Sequence, residues 1–276
     1  MNINKHLILL FSVLFFLFAV SVSSGCFRKN ESDVKSVVRN ELDQLKNLDS
    51  ETTQKYIPYT ELFPDATENT DLTDEINETF SLFFRKFNYK ISDVIVGTAN
   101  HSATVSVKLT TIDSKVLARD FKAKLLRTQI TESAQAQTGS IKDSSRSLEA
   151  HYLILNHLLN TNDYDTAETN CNIQLVNTGN DKKEKWKIQR TNSLEDDLVG
   201  GLMNDLTDPD ILSPEDTILV YLNTLKNMSA EELGNYLNTD SIISTEDPAK
   251  ISLAEALVKQ VHSTFDYSIG ETTVSG

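Results

Sequence analysis

The sequence predicts an α+β fold in which helices pack on an antiparallel sheet. Apolar residues follow a helical spacing after residue 33, and strict polar–apolar alternation then begins near residue 89. The same opening recurs about 180 residues later along the chain. Helices that precede antiparallel strands, rather than alternating with parallel ones, are typical of the α+β class.

The first elements are predicted to be three helices. Asp33 and Asp49 stand where side-chain oxygens cap the first helix and a short second one. Val34, Val37, Val38, Leu42 and Leu45 form the apolar stripe of the first helix. The stripe of the longer third helix consists of Ile76, Phe80, Phe83, Phe84 and Phe87. Both stripes are expected to face the core.

The strands that follow have one buried face and one solvent face. Two strands are predicted at 89–96 and 103–109, and a hairpin at 169–176 and 185–189 places Trp186 and Ile188 inward. Helices are predicted at 114–127 and 148–159, with a polar loop at 131–146 between them.

Cys171 is predicted to pack in the core. It alternates in step with Ile173 and Leu175, so it shares their face of the strand. A small buried hydrophobe is therefore favoured over a reactive thiol.

An internal repeat predicts a duplicated domain. Residues 33–57 align with 213–237 at an offset of 180, which matches Leu45-Lys46-Asn47 with Leu225-Lys226-Asn227. Phe87, Tyr89 and Ile91 align with Phe265, Tyr267 and Ile269 at an offset of 178. We therefore predict a first domain at 33–192, a helix and linker at 193–212, and an incomplete second copy at 213–276.

The second copy is expected to have helices without a sheet of their own. Compared with the first copy it lacks a counterpart of 98–212, about 115 residues. We expect a truncated domain, or a tail that borrows a sheet from a partner, with the Asp-rich segment 204–210 as the linker before it. Its third helix carries a stripe predicted to face the core: Leu253, Leu257, Val258, Val261 and Phe265.

The N-terminus indicates an export signal. Lys5 precedes an apolar run at 7–22, and Ser23, Ser24 and Gly25 lead into Cys26. The run is shorter than most bilayer-spanning helices. We predict removal of residues 1–25, lipid attachment to Cys26 and a tether at 26–32. Ordinary secretion after cleavage near Ser21 or Ser24, and an uncleaved anchor, stay open as alternatives.

These residues carry a resemblance to a known family. The segment ending at Cys26 resembles bacterial lipoprotein precursors, and the helix order with Leu45-Lys46-Asn47 resembles the nuclear transport factor two-like fold. Exported lipoproteins of Gram-positive bacteria carry one or two such cystatin-like domains. The resemblance implies a diacylglyceryl group with acyl chains such as palmitate on Cys26. It also implies a location on the outer face of the bacterial cell membrane.

Charge excludes nucleic acid as a partner. The chain has 26 basic and 40 acidic residues, a net charge of −14. Removing residues 1–25 takes away Lys5 alone, which leaves 25 − 40 = −15. Phosphate backbones are bound by clustered Lys and Arg, whereas the basic residues are dispersed along this sequence.

No catalytic, metal or cofactor motif is found. His151 and His157 are six residues apart and so do not share a helix face, and Asp163 and Asp165 lack the glycine of a calcium loop. The candidate lining of a ligand pocket is aromatic, with core packing as the competing interpretation: Phe80, Phe83 and Phe84.

Two functions are consistent with these observations. The first is a non-enzymatic, lipid-anchored surface protein that binds a protein, peptide or envelope component. The alternative is a pocket between helices and sheet, which binds a small molecule or catalyses an acid–base reaction.

Overall fold

The computed structural model describes residues 30–57, 59–67, 72–97, 101–136, 146–179, 185–238, 248–271 and 273. In chain order the elements are α1 (30–46), α2 (Ser50–Tyr56), a 3-10 helix (Tyr59–Leu62), α3 (Thr73–Phe84), β1 (Asn88–Val96), β2 (Ser102–Ile112), α4 (Ser114–Ala136), α5 (Leu148–Thr161), β3 (Thr166–Asn177), β4 (Trp186–Ile188), α6 (Asn192–Leu198), α7 (Leu202–Thr207), α8 (Pro214–Asn227), α9 (Ala230–Tyr236) and α10 (Pro248–Thr264). The predicted α+β class is confirmed, because helices pack against a four-stranded antiparallel sheet that is not closed.

The sheet belongs to the first of two compact units, which spans residues up to 56, 86–111 and 168–200. Its strand order is β1-β2-β3-β4. Both β1–β2 and β3–β4 are antiparallel, as predicted for the paired strands and the hairpin. Side-chain hydrogen bonds from Thr104 to Gln174 and from Ser106 to Asn172 cross between β2 and β3.

The strand β1 contains an irregularity near its middle. The register with β2 shifts between Ile91 and Asp93, so Ser92 is an extra residue on the outer strand. The Ser92 hydroxyl donates to the carbonyl of Ser106 at 2.9 Å. The bulge therefore keeps a hydrogen bond to β2 while it interrupts the ladder.

The core of the first unit follows the predicted alternation. Val105, Val107 and Leu109 on β2 are buried, as are Cys171 and the two apolar residues after it on the same face of β3. The stripe of α1 is buried at Val34, Val38, Leu42 and Leu45. Full burial of each aliphatic side chain contributes about 1.5–3 kcal/mol.

The second unit is helical and spans 57–85, 112–167 and 201–276. Within it, α3 packs on α5, and α4 contacts α5, α7, α8 and α9. Ser147 caps α5 by accepting a hydrogen bond from the backbone N–H of Ala150, 3.1 Å away. An aromatic cluster joins its elements, because the ring of Phe63 lies 5.2 Å from Phe121 and 5.5 Å from Tyr152.

Helix α4 is longer than predicted. A loop was expected from residue 131, but the helix continues to Ala136. Ile130 and Ala134, one turn apart, are buried with Met228 and Leu233. These contacts come from residues about 100 positions away, so local polarity could not reveal them.

The Asp-rich segment 204–210 is not an extended linker. Its first four residues belong to α7, and Leu206 is buried at 3 % exposure. The predicted division of the chain at 33–192, 193–212 and 213–276 stays a prediction.

Three residues of the α10 stripe do not face a core as predicted. Leu253, Leu257 and Val261 are 66, 55 and 41 % exposed, which corrects the expectation for these residues. Val258 of the same stripe is buried as predicted, Ala254 beside that stripe is also buried, and this helix contacts α9. The repeat predicted which residues share a face, but a covering sheet is not present among the described residues.

Candidate functional site

A groove of about 320 Å³ lies between α1 and β1 in the first unit. We call it the α1–β1 groove. It combines basic, acidic, amide and phenol side chains, namely Lys35, Arg39, Asp43, Lys46, Asn88, Tyr89 and Ile91.

The groove exists because α1 presents its basic residues on one side. At 100° per residue, Arg39 and Lys46 lie about 40° and 20° around the helix from Lys35. This side borders the buried stripe that contains Leu42. The cations are therefore brought to the margin of the core, beside β1.

A tyrosine contact forms the first link between helix and strand in the groove. The Tyr89 hydroxyl donates to Asp43 Oδ1 at 2.6 Å. Burial, together with this hydrogen bond, raises the pKa of Tyr89 to about 12. The phenol is thus protonated at neutral pH and serves as a donor rather than as a base.

A lysine contact forms the second link between helix and strand. Lys46 Nζ donates to Asn88 Oδ1 at 2.9 Å. The side chains of Lys35 and Arg39, by contrast, form no ion pair or hydrogen bond with any described residue, although the Tyr89 hydroxyl also lies 3.4 Å from the backbone carbonyl oxygen of Arg39. The groove therefore has three cations against one carboxylate, in a chain whose net charge is −14.

Both contacts recur in the second unit at the positions that the repeat predicts. The Tyr267 hydroxyl donates to Asn223 Oδ1 at 2.5 Å, and Lys226 Nζ donates to Asp266 Oδ1 at 2.8 Å. The offsets are 178 for the residues after α10 and 180 for those in α8. The hydrogen bond raises the pKa of Lys226 and lowers that of Asp266.

The short second helix of each region also begins in the same way. Asp49 Oδ2 accepts from the backbone N–H of Thr52, and Ser229 Oγ accepts from that of Glu232. Both pairs are related by an offset of 180, as are α2 and α9 themselves. The two regions therefore share this helix cap as well as the contacts that hold helix to strand.

The two regions differ at the unpaired cations. Glu215 and Leu219 stand where the first region has Lys35 and Arg39. The contacts that hold helix to strand are therefore present in both regions, whereas the uncompensated positive charge is present in the first alone.

The aromatic residues proposed as a pocket lining are buried in α3. Phe83 and Phe84 lie 5.4 Å apart between ring centroids, and Phe80 also lies 6.3 Å from Tyr152. None of the three lines the α1–β1 groove. Their lining of another pocket stays a prediction.

The histidines are placed apart from one another. His151 lies among aromatic rings, 4.8 Å from Phe63 and 5.6 Å from Phe121 between centroids. His157 is exposed, and His262 Nε2 lies 2.7 Å from the carbonyl oxygen of Met228. Across the described ranges, no group of three or more His, Cys, Asp and Glu is arranged to hold a metal ion.

Cys171 has the predicted packing role. Its side chain is 1 % exposed, and burial followed by the neighbouring Asp197 carboxylate raises its pKa to about 12. Burial in turn raises the pKa of Asp197. The thiol is consequently uncharged at neutral pH and protected from reagents.

The predicted lipidation motif lies outside the described residues. This applies to Ser23, Ser24, Gly25 and Cys26. In the portion of the chain that the structure does describe, no helix has the length and apolar character required to cross a bilayer.

No family model, curated protein or solved structure matches this chain. The site is therefore assigned from its own geometry. Sequence reasoning treated the basic residues as dispersed and missed the α1–β1 groove. The available signal was the spacing of Lys35, Arg39 and Lys46 on one side of a predicted helix.

Proposed function

We propose that this chain is a lipid-anchored surface protein that acts as a non-enzymatic binding module in the cell envelope. The observation that carries the proposal is the α1–β1 groove. Lys35 and Arg39 are uncompensated there, and no nucleophile with an adjacent base is found among its lining residues. Such a surface is suited to recognition by charge.

The anchor is inferred from Cys26 and the residues before it. A diacylglyceryl group supplies two acyl chains, which is sufficient for stable membrane attachment. The resemblance to bacterial lipoproteins favours the outer face of the cell membrane. Because Cys26 lies four residues before α1, the first unit would be the membrane-proximal part of the chain.

Duplication is part of the same proposal. The recurrence of the tyrosine and lysine contacts supports a common origin for 33–93 and 213–271. A tandem arrangement of this kind favours a binding or assembly role, in which one copy has acquired its own surface charge.

Replacement of Cys26 tests the anchor. Cys26→Ala should release the protein into the soluble fraction or leave an uncleaved precursor, because the thioether bond cannot form. Membrane fractionation with mass spectrometry of the N-terminus measures both outcomes. Cys171→Ala is the matched control, since it removes the second cysteine and should leave retention unchanged. Normal processing and retention of Cys26→Ala would contradict the proposal.

A small-molecule or acid–base site is the second candidate. It is favoured by the position of the groove between a helix and a strand. A further groove of about 450 Å³ in the second unit is lined by residues that include Arg127, Thr224 and Glu232. Mass spectrometry of ligands released by denaturing the purified protein distinguishes the candidates. A stoichiometric small molecule would support the second, whereas the binding-module proposal expects none.

A further inference from the structure

We propose that the α1–β1 groove binds the phosphate group of an anionic phospholipid headgroup. This inference rests on the proposed membrane anchoring of the chain and assigns a ligand class to its candidate site. The shared chemistry is a phosphate oxyanion recognised by Lys35 and Arg39, so phosphate in solution is the other possible source of the ligand.

The residue types of the groove match a phosphate. The Arg39 guanidinium offers several donors to phosphate oxygens, and the Lys35 ammonium adds a compact positive charge. Neither side chain is paired with a described carboxylate. Asp43 is the acidic residue in the lining, and its Oδ1 accepts the hydrogen bond of Tyr89.

The groove is prearranged by contacts that do not involve these two cations. Tyr89 with Asp43, and Lys46 with Asn88, join β1 to α1 within its lining. Lys35 and Arg39 are therefore additions to a complete helix–strand packing. Removing them should change binding while leaving the packing in place.

The position of the groove along the chain favours a membrane ligand. Four residue steps separate Cys26 from residue 30, a span of at most about 14 Å. Lys35 follows five residues into α1, a rise of about 7.5 Å. A lipid on Cys26 would thus hold Lys35 within about 22 Å of the attachment point, where headgroups are within reach.

The net charge of the segment that contains the groove cations also favours a membrane ligand. Residues 26–46 contain five basic and four acidic residues, a balance of +1. The remaining 47–276 have 20 basic and 36 acidic residues, a balance of −16. The segment nearest the proposed anchor is therefore the part that an anionic surface repels least.

The second region provides an internal comparison. It has the same tyrosine and lysine contacts, but Glu215 and Leu219 replace the two cations. The helix–strand contacts therefore do not require Lys35 and Arg39. Their presence in the membrane-proximal region is what a headgroup site requires.

The test uses the non-acylated mature chain from Phe27 onward, which contains every described residue. Binding is measured by co-sedimentation with vesicles of phosphatidylcholine and phosphatidylglycerol in equal parts, against phosphatidylcholine alone. The variant Lys35→Glu/Arg39→Leu introduces the residues of the second region. Each unit of charge near an anionic surface contributes about fivefold, and this variant changes the charge by three units, so we expect it to bind on the order of 100-fold more weakly.

A matched control exists on α4. Lys115 and Arg119 have the same residue types and spacing, and both are exposed. Lys115→Glu/Arg119→Leu changes the net charge equally and should retain most of the binding. If circular dichroism shows that the first variant does not fold, Lys35→Gln/Arg39→Gln replaces it in the binding assay. This second variant removes the cations without introducing an acid.

The outcomes separate the sources of phosphate. Salt-sensitive binding to phosphatidylglycerol vesicles that is lost in the groove variants alone supports the headgroup site. Binding of inorganic phosphate by calorimetry, with the same sensitivity but without vesicle binding, assigns the groove to soluble phosphate and overturns the lipid source. Binding of neither ligand, or equal loss in the α4 control, overturns the groove as a phosphate site. Since the protein carries no lipid in this test, its result is independent of the Cys26→Ala experiment.

Discussion

Replacing Gly200 by alanine is expected to destabilise the first unit strongly. Gly200 has a φ of +68°, in the left-handed region that side chains disfavour. A Cβ added there would lie 2.2 Å from Thr111 Oγ1, and Thr111 is buried. Both backbone strain and steric overlap therefore act at this position.

The magnitude can be assembled from three contributions. A left-handed conformation costs about 1–2 kcal/mol for a residue with a Cβ. Overpacking against a buried side chain costs about 1–3 kcal/mol. Alanine also restricts the unfolded chain more than glycine does, which offsets about 0.4–1 kcal/mol of this cost. The free energy of unfolding should thus fall by about 1–5 kcal/mol, and the mid-range cost of ~3 kcal/mol lowers Tm by about 6–12 °C.

Substitutions at two other glycines distinguish the cost of backbone strain from the cost of steric overlap. Gly201 has a φ of +93°, but an added Cβ would come no closer than 3.7 Å to Ser114. Gly201→Ala should therefore cost about 1 kcal/mol, from strain alone. Gly270 has open space within 4 Å of an added Cβ, so Gly270→Ala should stay within about 0.5 kcal/mol.

Thermal unfolding followed by circular dichroism measures all three variants. Equal losses in Gly200→Ala and Gly201→Ala would refute the steric part of the reasoning. Adding Thr111→Ala to Gly200→Ala provides a second check, because it removes the oxygen that the new methyl group meets. The double variant should recover about 1 kcal/mol relative to additivity, and strict additivity would exclude the contact.

Two further predictions concern Cys171 and the neighbouring Asp197. In a chain that begins at Phe27, Cys171 is the single thiol, and iodoacetamide at pH 8 should label it at least about 100-fold more slowly in the folded protein than in urea. Similar rates in both conditions would contradict its burial. Asp197 has a raised folded-state pKa, so its contribution to stability is complete below the unfolded pKa and is lost as pH rises through the folded value. The increase in Tm that Asp197→Asn causes should therefore be larger at pH 7 than at pH 4, and the exposed control Asp93→Asn should not show this difference. A larger gain at pH 4 would reverse the sign and refute the assignment.

The sheet could be predicted from the sequence because its signals are local. Alternation along β2, and a turn between β3 and β4, are both visible within about 20 residues. Cys171 was placed correctly for the same reason, since its two apolar neighbours define the face. Period-two patterns of this kind specify which side of a strand is buried.

Features that depend on distant contacts could not be predicted in the same way. The end of α4 is set by the burial of Ile130 and Ala134 against Met228, which no local pattern reveals. The α1–β1 groove brings Lys35 beside Asn88, residues 53 positions apart. Helical spacing predicted the stripe of α10, but it contains no information on whether another element covers Leu253.

The two edges of the sheet have a consequence for molecules held side by side on a surface. An edge strand with free backbone groups can pair with the edge of a neighbouring molecule. On one edge, β1 is interrupted by the bulge at Ser92, and on the other, β4 has three residues, Trp186–Ile188. Neither offers a long regular template. High local density would therefore not drive these sheets to join into larger β assemblies.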